Sequence, residues 1–396
     1  MKKIIFLYSA SLLILFSCRK AQITTANSIG ISSPWSDTSS VHPKNAAFNS
    51  LLDKYKKKGL PGISLLVRDS KGRWIGAIGK ADLSNNIDFV PGTISKVASI
   101  TKLFMGVLVF KMMEDSTNTG IGYRALNKKV SDWLPSSITN KLANGNIITL
   151  GQCMKHETGI PDLIEEDKFY LAVLNNPNKK WQAEELLEFI YNKPPLFAPS
   201  DTAIYSNTNT ILVTMIMEAQ TGKKHADLLK QYILNPLGLS NTFYQPHDAL
   251  PNSVAQGYYD LYNNGTLVNV SKLVTGSGNS YGGIYSNLFD LYKLGDALFA
   301  KQAFLKPSSM SIMQTFGKQD DTNLYGYGLQ KTFLDKGINA GIGHKGRDLG
   351  YTANLFYFPN KGVLHIFFIN YGTDADSDLK QAFREFQEEL VNLTLQ

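Results

Sequence analysis

Apolar and polar residues alternate near both ends of this chain and recur at helical spacing through its middle. Residues 46–55 carry the spacing of an amphipathic helix, and Gly62-Ile63-Ser64-Leu65-Leu66-Val67-Arg68 follows as a strand. The turn residues Asp69-Ser70-Lys71-Gly72 lead into Trp74-Ile75-Gly76-Ala77-Ile78-Gly79, so the pair predicts a hairpin. The far end repeats the pattern. Residues 351–358, the turn Pro359-Asn360-Lys361-Gly362 and residues 363–369 predict a second hairpin, and residues 377–395 a closing helix. Between these ends, residues 142–233 and 288–313 carry helical patterns separated by loops. The whole predicts an α/β (α+β) chain: a central antiparallel sheet built from the N- and C-terminal segments, flanked by helices, with a mainly helical lobe inserted. One domain spans 46–396, its sheet lobe about 46–95 and 325–396 and its helical lobe about 96–324.

The first residues have another character. Lys2 and Lys3 precede an apolar run over residues 4–16, too short to cross a bilayer and placed as in a signal peptide, residues 1–17. Leu15-Phe16-Ser17-Cys18 resembles a bacterial lipobox, which makes Cys18 the expected lipidation site. That pattern implies an exported, cell-envelope lipoprotein, periplasmic or surface-facing, held to a bacterial membrane by its N-terminal lipid. Residues 18–45, rich in Ser, Thr, Asn and Pro, read as a flexible tether. Only Cys153 is then left as a thiol, so no internal disulfide forms, and its apolar-leaning surroundings make it a core residue. The net charge of +7 is spread along the chain. The one cluster, Lys54, Lys56, Lys57 and Lys58, lacks interleaved aromatics and reads as a solvated helix end, which argues against nucleic-acid binding.

Candidate chemistry centres on Ala98-Ser99-Ile100-Thr101-Lys102, which opens a long apolar run. Residues three apart share a helix face. Ser99 falls at the helix start, where unpaired N–H groups and the dipole favour developing negative charge. A nucleophile and an amine to take its proton are thus adjacent. The same spacing occurs at Ser17…Lys20, in the targeting segment, and at Ser377…Lys380, on a polar helix face.

A serine–lysine pair needs a further acid/base and an oxyanion hole. Tyr205-Ser206-Asn207, after Phe197-Ala198-Pro199 and before a helix over 210–220, supplies a tyrosine that ionises readily if cations flank it, and an Asn207 placed to orient the lysine. Gly343-His344-Lys345-Gly346-Arg347 leads into the terminal hairpin. Gly346 lets a substrate backbone approach, and the Arg347 N–H joins that of Ser99 as an oxyanion donor.

The ordered set Ser99-x-x-Lys102, Tyr205-x-Asn207, His344-x-Gly346 resembles the serine β-lactamase and penicillin-binding hydrolases, above all the class C-like group with D-alanyl-D-alanine carboxypeptidases, D-aminopeptidases and esterases. Residues 155–162, 235–239, 282–286 and 325–328 resemble further landmarks of that family. The resemblance implies an active site between the lobes and acyl transfer through Ser99, with Lys102 and Tyr205 relaying the proton. Asn207, His344, Gly346 and Arg347 would bind substrate and oxyanion. No metal or organic cofactor is implied, and the partner is a small-molecule or peptide substrate. Two departures stand out. His344 takes the place of the family's usual lysine and carries less charge near neutral pH. Lys345 replaces a Thr or Ser whose hydroxyl helps hold a substrate carboxylate, so Lys345 or Arg347 is expected to supply a cation instead. D-alanyl-D-alanine carboxypeptidase-like activity is the leading reading, with carboxylesterase, β-lactamase and a β-lactam sensor that does not turn over as alternatives. Gly278-Asn279-Ser280-Tyr281-Gly282 matches the nucleophile elbow of another hydrolase class but lacks its strand-to-helix context. His156 and His365 read as structural residues.

Overall fold

The computed structural model describes residue 25 and residues 33–317, 323–373 and 377–396. Helix α1 (Asn45–Lys57) precedes strands β1 (Gly62–Asp69) and β2 (Gly72–Asp82), which pair with Leu66 opposite Ile75, and β3 (Ile87–Asp88) extends the edge. The C-terminal part supplies β4 (Leu324–Tyr325), β5 (Gln330–Thr332), β6 (Gly341–Asp348), β7 (Tyr351–Phe358) and β8 (Val363–Ile369). The strand order is β3-β2-β1-β8-β7-β6-β5-β4. The two ends of the chain therefore meet inside the sheet, with β1 against β8 and Ile63 opposite Ile369. Strand β8 is buried on both faces, which is why its sequence is apolar without alternation.

Helix α2 (Ile100–Glu114), α3 (Asp167–Asn175), α4 (Asn207–Thr221), α5 (Leu288–Gly295) and α6 (Asp378–Leu395) complete the frame. One face of the sheet packs on α1 and α6 through Phe48, Tyr55, Phe367 and Phe386. The other packs on the helical lobe, with Leu355, Ile366 and Phe368 joined to Phe104 and Leu108 of α2. Helix α2 is buried all round, as a helix without a polar face must be. The helical lobe also holds short strands: Ser95–Lys96, Ile284–Ser286 and Phe243–Tyr244 form a small sheet, and Tyr258–Tyr259 pairs with Val268–Asn269.

Two expectations need correction. The tether was drawn to residue 45, yet residues 33–45 lie along the body. Trp35 packs edge-on against Phe289 at 5.4 Å under the Arg73 guanidinium. Ser39 Oγ bonds both the N–H and the carbonyl of Ile75, and His42 pairs with Asp69 at 3.2 Å. Polar composition here marks specific partners rather than a free linker. The lysine cluster is likewise not merely solvated, because Lys54 and Lys58 pair with Glu389 and Glu385 of α6. Cys18 and the signal segment lie outside the described residues. Among the described residues, no helix is long and apolar enough to cross a membrane.

Candidate active site

Ser99 caps the N-terminus of α2, where the sequence placed it. The turn that delivers it is tight. Ala98 sits at φ +48°, a region L residues seldom occupy, and Val97 N–H donates to the Ile284 carbonyl at 2.9 Å. Strand β6 crosses this turn at Gly346, where a Cβ would stand 2.0 Å from the Val97 carbonyl oxygen. That corrects the role given to Gly346. What the missing side chain admits is the chain's own Val97–Ala98 turn.

Lys102, one turn on, is buried, and its Nζ lies 3.1 Å from Ser99 Oγ, 2.6 Å from Asn207 Oδ1 and 2.9 Å from the Tyr281 carbonyl. Asn207 opens α4, and its Nδ2 donates to Asp162 Oδ2 at 2.8 Å. A carboxylate only accepts, so Asp162 fixes which way the amide points and aims Oδ1 at the lysine. Burial lowers the Lys102 pKa to about 7, while Asp162 and Asp348 pull it upward. Burial likewise raises the Asp162 carboxyl. In the neutral amine, two N–H bonds are claimed by two carbonyl oxygens that accept only. The lone pair is left for the Ser99 proton.

Tyr205 is partly buried with its hydroxyl oxygen shielded from solvent, its ring 4.6 Å from that of His156, 6.0 Å from Tyr325 and 6.3 Å from His344, with Lys102 Nζ 4.8 Å from its centre. Its hydroxyl makes no well-aligned hydrogen bond, and Ser99 is the side chain that acts on it most directly. The expectation of a readily ionised phenol is overturned. Burial pushes Tyr205 well above the ordinary tyrosine range, so it remains a phenol. His344 is buried beside it and held far below the usual imidazole range, first by burial and then by Lys102. Its Nδ1–H donates to the Lys345 carbonyl at 2.6 Å. His344 therefore backs Tyr205 as a neutral ring and is not part of the cleft wall, a second correction to its expected substrate-binding place.

Arg347 departs furthest from expectation. Its Nη1 donates to the carbonyls of Gly346 and Ala353 and to Asn354 Oδ1 at 2.7, 3.1 and 3.0 Å, and its guanidinium stacks 4.6 Å over Phe383 of α6. The guanidinium is held on the α6 side of the sheet, although Arg347 is itself among the residues that line the cleft. Lys345 does line the cleft.

In front of Ser99 lies a cleft of about 660 Å³, with Ser99, Tyr205 and Asn207 at its base and Phe169, Leu174, Leu261 and Tyr281 among its walls. Three contributors escaped the sequence reading. Asp162 ends the 155–162 landmark, and its residue type there points to no particular role. Gln330, whose Oε1 accepts from Lys345 N–H at 3.1 Å, looked like any strand residue. The Tyr281 carbonyl is backbone and leaves no signal in residue identity. The readings of Ser280, His156 and Cys153 agree with their positions. Ser280 Oγ donates to the Asn279 carbonyl, His156 Nδ1 accepts from Ser206 N–H at 3.3 Å, and Cys153 is buried.

An antiparallel sheet built from both ends of the chain, with a serine–lysine pair at the head of the helix packed on it and a tyrosine beside them, defines the serine β-lactamase and penicillin-binding class. The chain belongs to the Beta-lactamase family, whose model matches residues 48–388. Among curated relatives it is 24% identical over 204 residues to unguisins hydrolase ungD of Aspergillus violaceofuscus, covering 51% of this chain and 35% of that protein. It is 25% identical over 188 residues to the D-alanyl-D-alanine-carboxypeptidase/endopeptidase AmpH of Escherichia coli K12, covering 48% of this chain and 46% of that protein. The matches thus span less than half of either relative. A D-stereospecific amidohydrolase structure from Streptomyces sp. superimposes with TM-score 0.72 at 25% identity, covering 83% of this chain and 95% of that one.

Proposed function

We propose that the chain is a serine hydrolase that opens an amide or ester bond through an acyl-enzyme on Ser99. The observation that carries this reading is the Lys102 amine, buried beside Ser99 Oγ with both of its N–H bonds spoken for. Ser99 Oγ attacks the carbonyl carbon as its proton passes to the Lys102 lone pair. The tetrahedral oxyanion rests on the N–H groups of Ser99 and Arg347. Two features support that pair. Ser99 heads a helix, and Lys345 N–H leaves β6 on the side away from β7, so by the two-residue repeat of a strand Arg347 N–H leaves on the same side. One such donor contributes about 2.7–4 kcal/mol to the transition state in comparable sites. The proton returns from Lys102 through the Tyr205 phenol to the leaving nitrogen or oxygen as the bond breaks. Water, deprotonated by the same pair, then releases the acyl group.

Within this reading, a D-alanyl-D-alanine carboxypeptidase keeps one support, a lysine, Lys345, among the residues that line the cleft, while the Arg347 guanidinium is held against α6. A peptide free acid turned over at least tenfold faster than its methyl ester would favour it, whereas equal rates would favour an amidase or esterase. The reading as a whole is tested by labelling with a fluorophosphonate and a fluorescent penicillin. The expected adduct is on Ser99 and absent in Ser99→Ala. Undiminished labelling of that variant overturns the reading. The N-terminal pattern further supports export and lipid attachment at Cys18, for which radiolabelled palmitate incorporation lost in Cys18→Ala is the expected result.

A further inference from the structure

Helix α3 carries more apolar surface than folding requires. Phe169 and Val173, one turn apart, fix it to the core. Tyr170, Leu171 and Leu174 do not, and Leu171 and Leu174 remain 59% and 49% exposed. Opposite stands the turn after Tyr258–Tyr259, where the Asp260 carboxylate accepts from the N–H groups of Asn264 and Gly265 at 3.1 and 2.9 Å. That ordered turn holds out Leu261 and Tyr262, which are 44% and 68% exposed. Tyr170, Leu174 and Leu261 all line the cleft that ends at Ser99. Exposed leucines scattered singly need no explanation, but two sets at the mouth of one cleft do. Below them Phe169, Val270, Leu273 and Tyr281 continue an apolar strip toward the serine, beside polar lining residues that include Glu165, Lys345 and Asp348.

We infer that the cleft takes a substrate bearing an apolar chain or ring of several carbons beside the scissile carbonyl, gripped between α3 and the 258–269 hairpin. The inference rests on the acyl-enzyme reading and narrows its substrate class. A substrate bearing only methyl side chains would leave both apolar lips in water, whereas a longer apolar group would displace that water continuously from the mouth to Ser99. Full burial of each added CH2 raises kcat/KM about fourfold, the equivalent of about 0.8 kcal/mol.

The test is a series of p-nitrophenyl esters with acetyl, butyryl and octanoyl groups, together with an acetate series in which the alcohol is lengthened instead. In one of the two series kcat/KM is expected to rise at least tenfold from shortest to longest. The Leu174→Ser/Leu261→Ser variant is expected to cut that long-to-short ratio at least fivefold. Both positions are half exposed, and an unchanged melting temperature would show that the variant is folded. A flat response in both series, with Ser99 still acylated by the short esters, overturns the inference and leaves the proposed function standing. A ratio unaffected by the double variant overturns the assignment to these lips. A gain seen only on lipid vesicles would mark the lips as a membrane contact and overturns it too. Failure of every ester and fluorophosphonate to modify Ser99 removes both readings.

Discussion

Lys102 works in this site because its surroundings accept hydrogen bonds without offering a full opposite charge at contact. The Asn207 and Tyr281 oxygens hold the amine, and burial favours its neutral form. A base whose pKa is depressed is active above that pKa. Acylation of Ser99 is therefore expected to rise with pH and level off above an apparent value of about 7, measured as the pH dependence of the labelling rate. Asp162→Asn would change two things. It removes a charge that raises the Lys102 pKa, so the limb should move to lower pH. It also frees the Asn207 amide to turn its NH2 toward the lysine, so kcat should fall about 10- to 100-fold while the fold survives. A limb that moves upward would contradict this chain of bonds. Tyr205→Phe is expected to lower kcat about 100-fold, with the limb near pH 7 retained because the base is still present. The serine, lysine and tyrosine were legible in the sequence as residue types at a known spacing. Their protonation states were not, because burial decides them and burial of the Tyr205 hydroxyl and of His344 arises from segments distant in the chain.

At the level of elements, the crossing of β6 over the head of α2 sets the site. Gly346→Ala would drive a methyl group into the Val97 carbonyl and push the two elements apart. The expected result is a loss of about 1–3 kcal/mol, read from the urea midpoint, and a larger proportional loss of Ser99 labelling. Both hairpins and the terminal helix could be read because strand alternation, turn residues and an amphipathic stripe all agree there. The short strands Ser95–Lys96 and Phe243–Tyr244 could not, since two residues carry no period. Arg347 was misread for a related reason. The segment before the terminal hairpin showed no strand period, side chains alternate across a strand, and only the packing of α6 shows that this one faces Phe383 and Gln387.

For the whole molecule, the pairing of β1 with β8 makes the first and last strands one core, and that core contains a histidine. His365 is buried among Phe358, Phe356 and Phe367 with neither ring nitrogen bonded, and burial pushes its pKa down to about 3. The unfolded chain binds a proton there near pH 6.5 and the folded chain refuses it. Stability is therefore lost as pH falls from 6.5 toward 3, by about 2 kcal/mol at pH 5. His365→Leu is expected to remove that portion of the acid sensitivity, measured as the difference between urea unfolding free energies at pH 7.5 and pH 5. The layered plan was legible because strands at both ends of the chain leave one simple way to build a sheet. The packing of residues 33–45 on the body was not, because single contacts such as Trp35 on Phe289 leave no periodic trace.

The central claim is that Ser99 is activated by a buried, neutral Lys102, and the rate of fluorophosphonate attachment against pH, with the adduct mapped to its peptide, tests it most directly. The expected result is a single adduct on Ser99 whose rate climbs from pH 5 and levels off above about pH 7. An adduct on another residue, or a rate on Ser99 that does not change between pH 5 and pH 9, would contradict it.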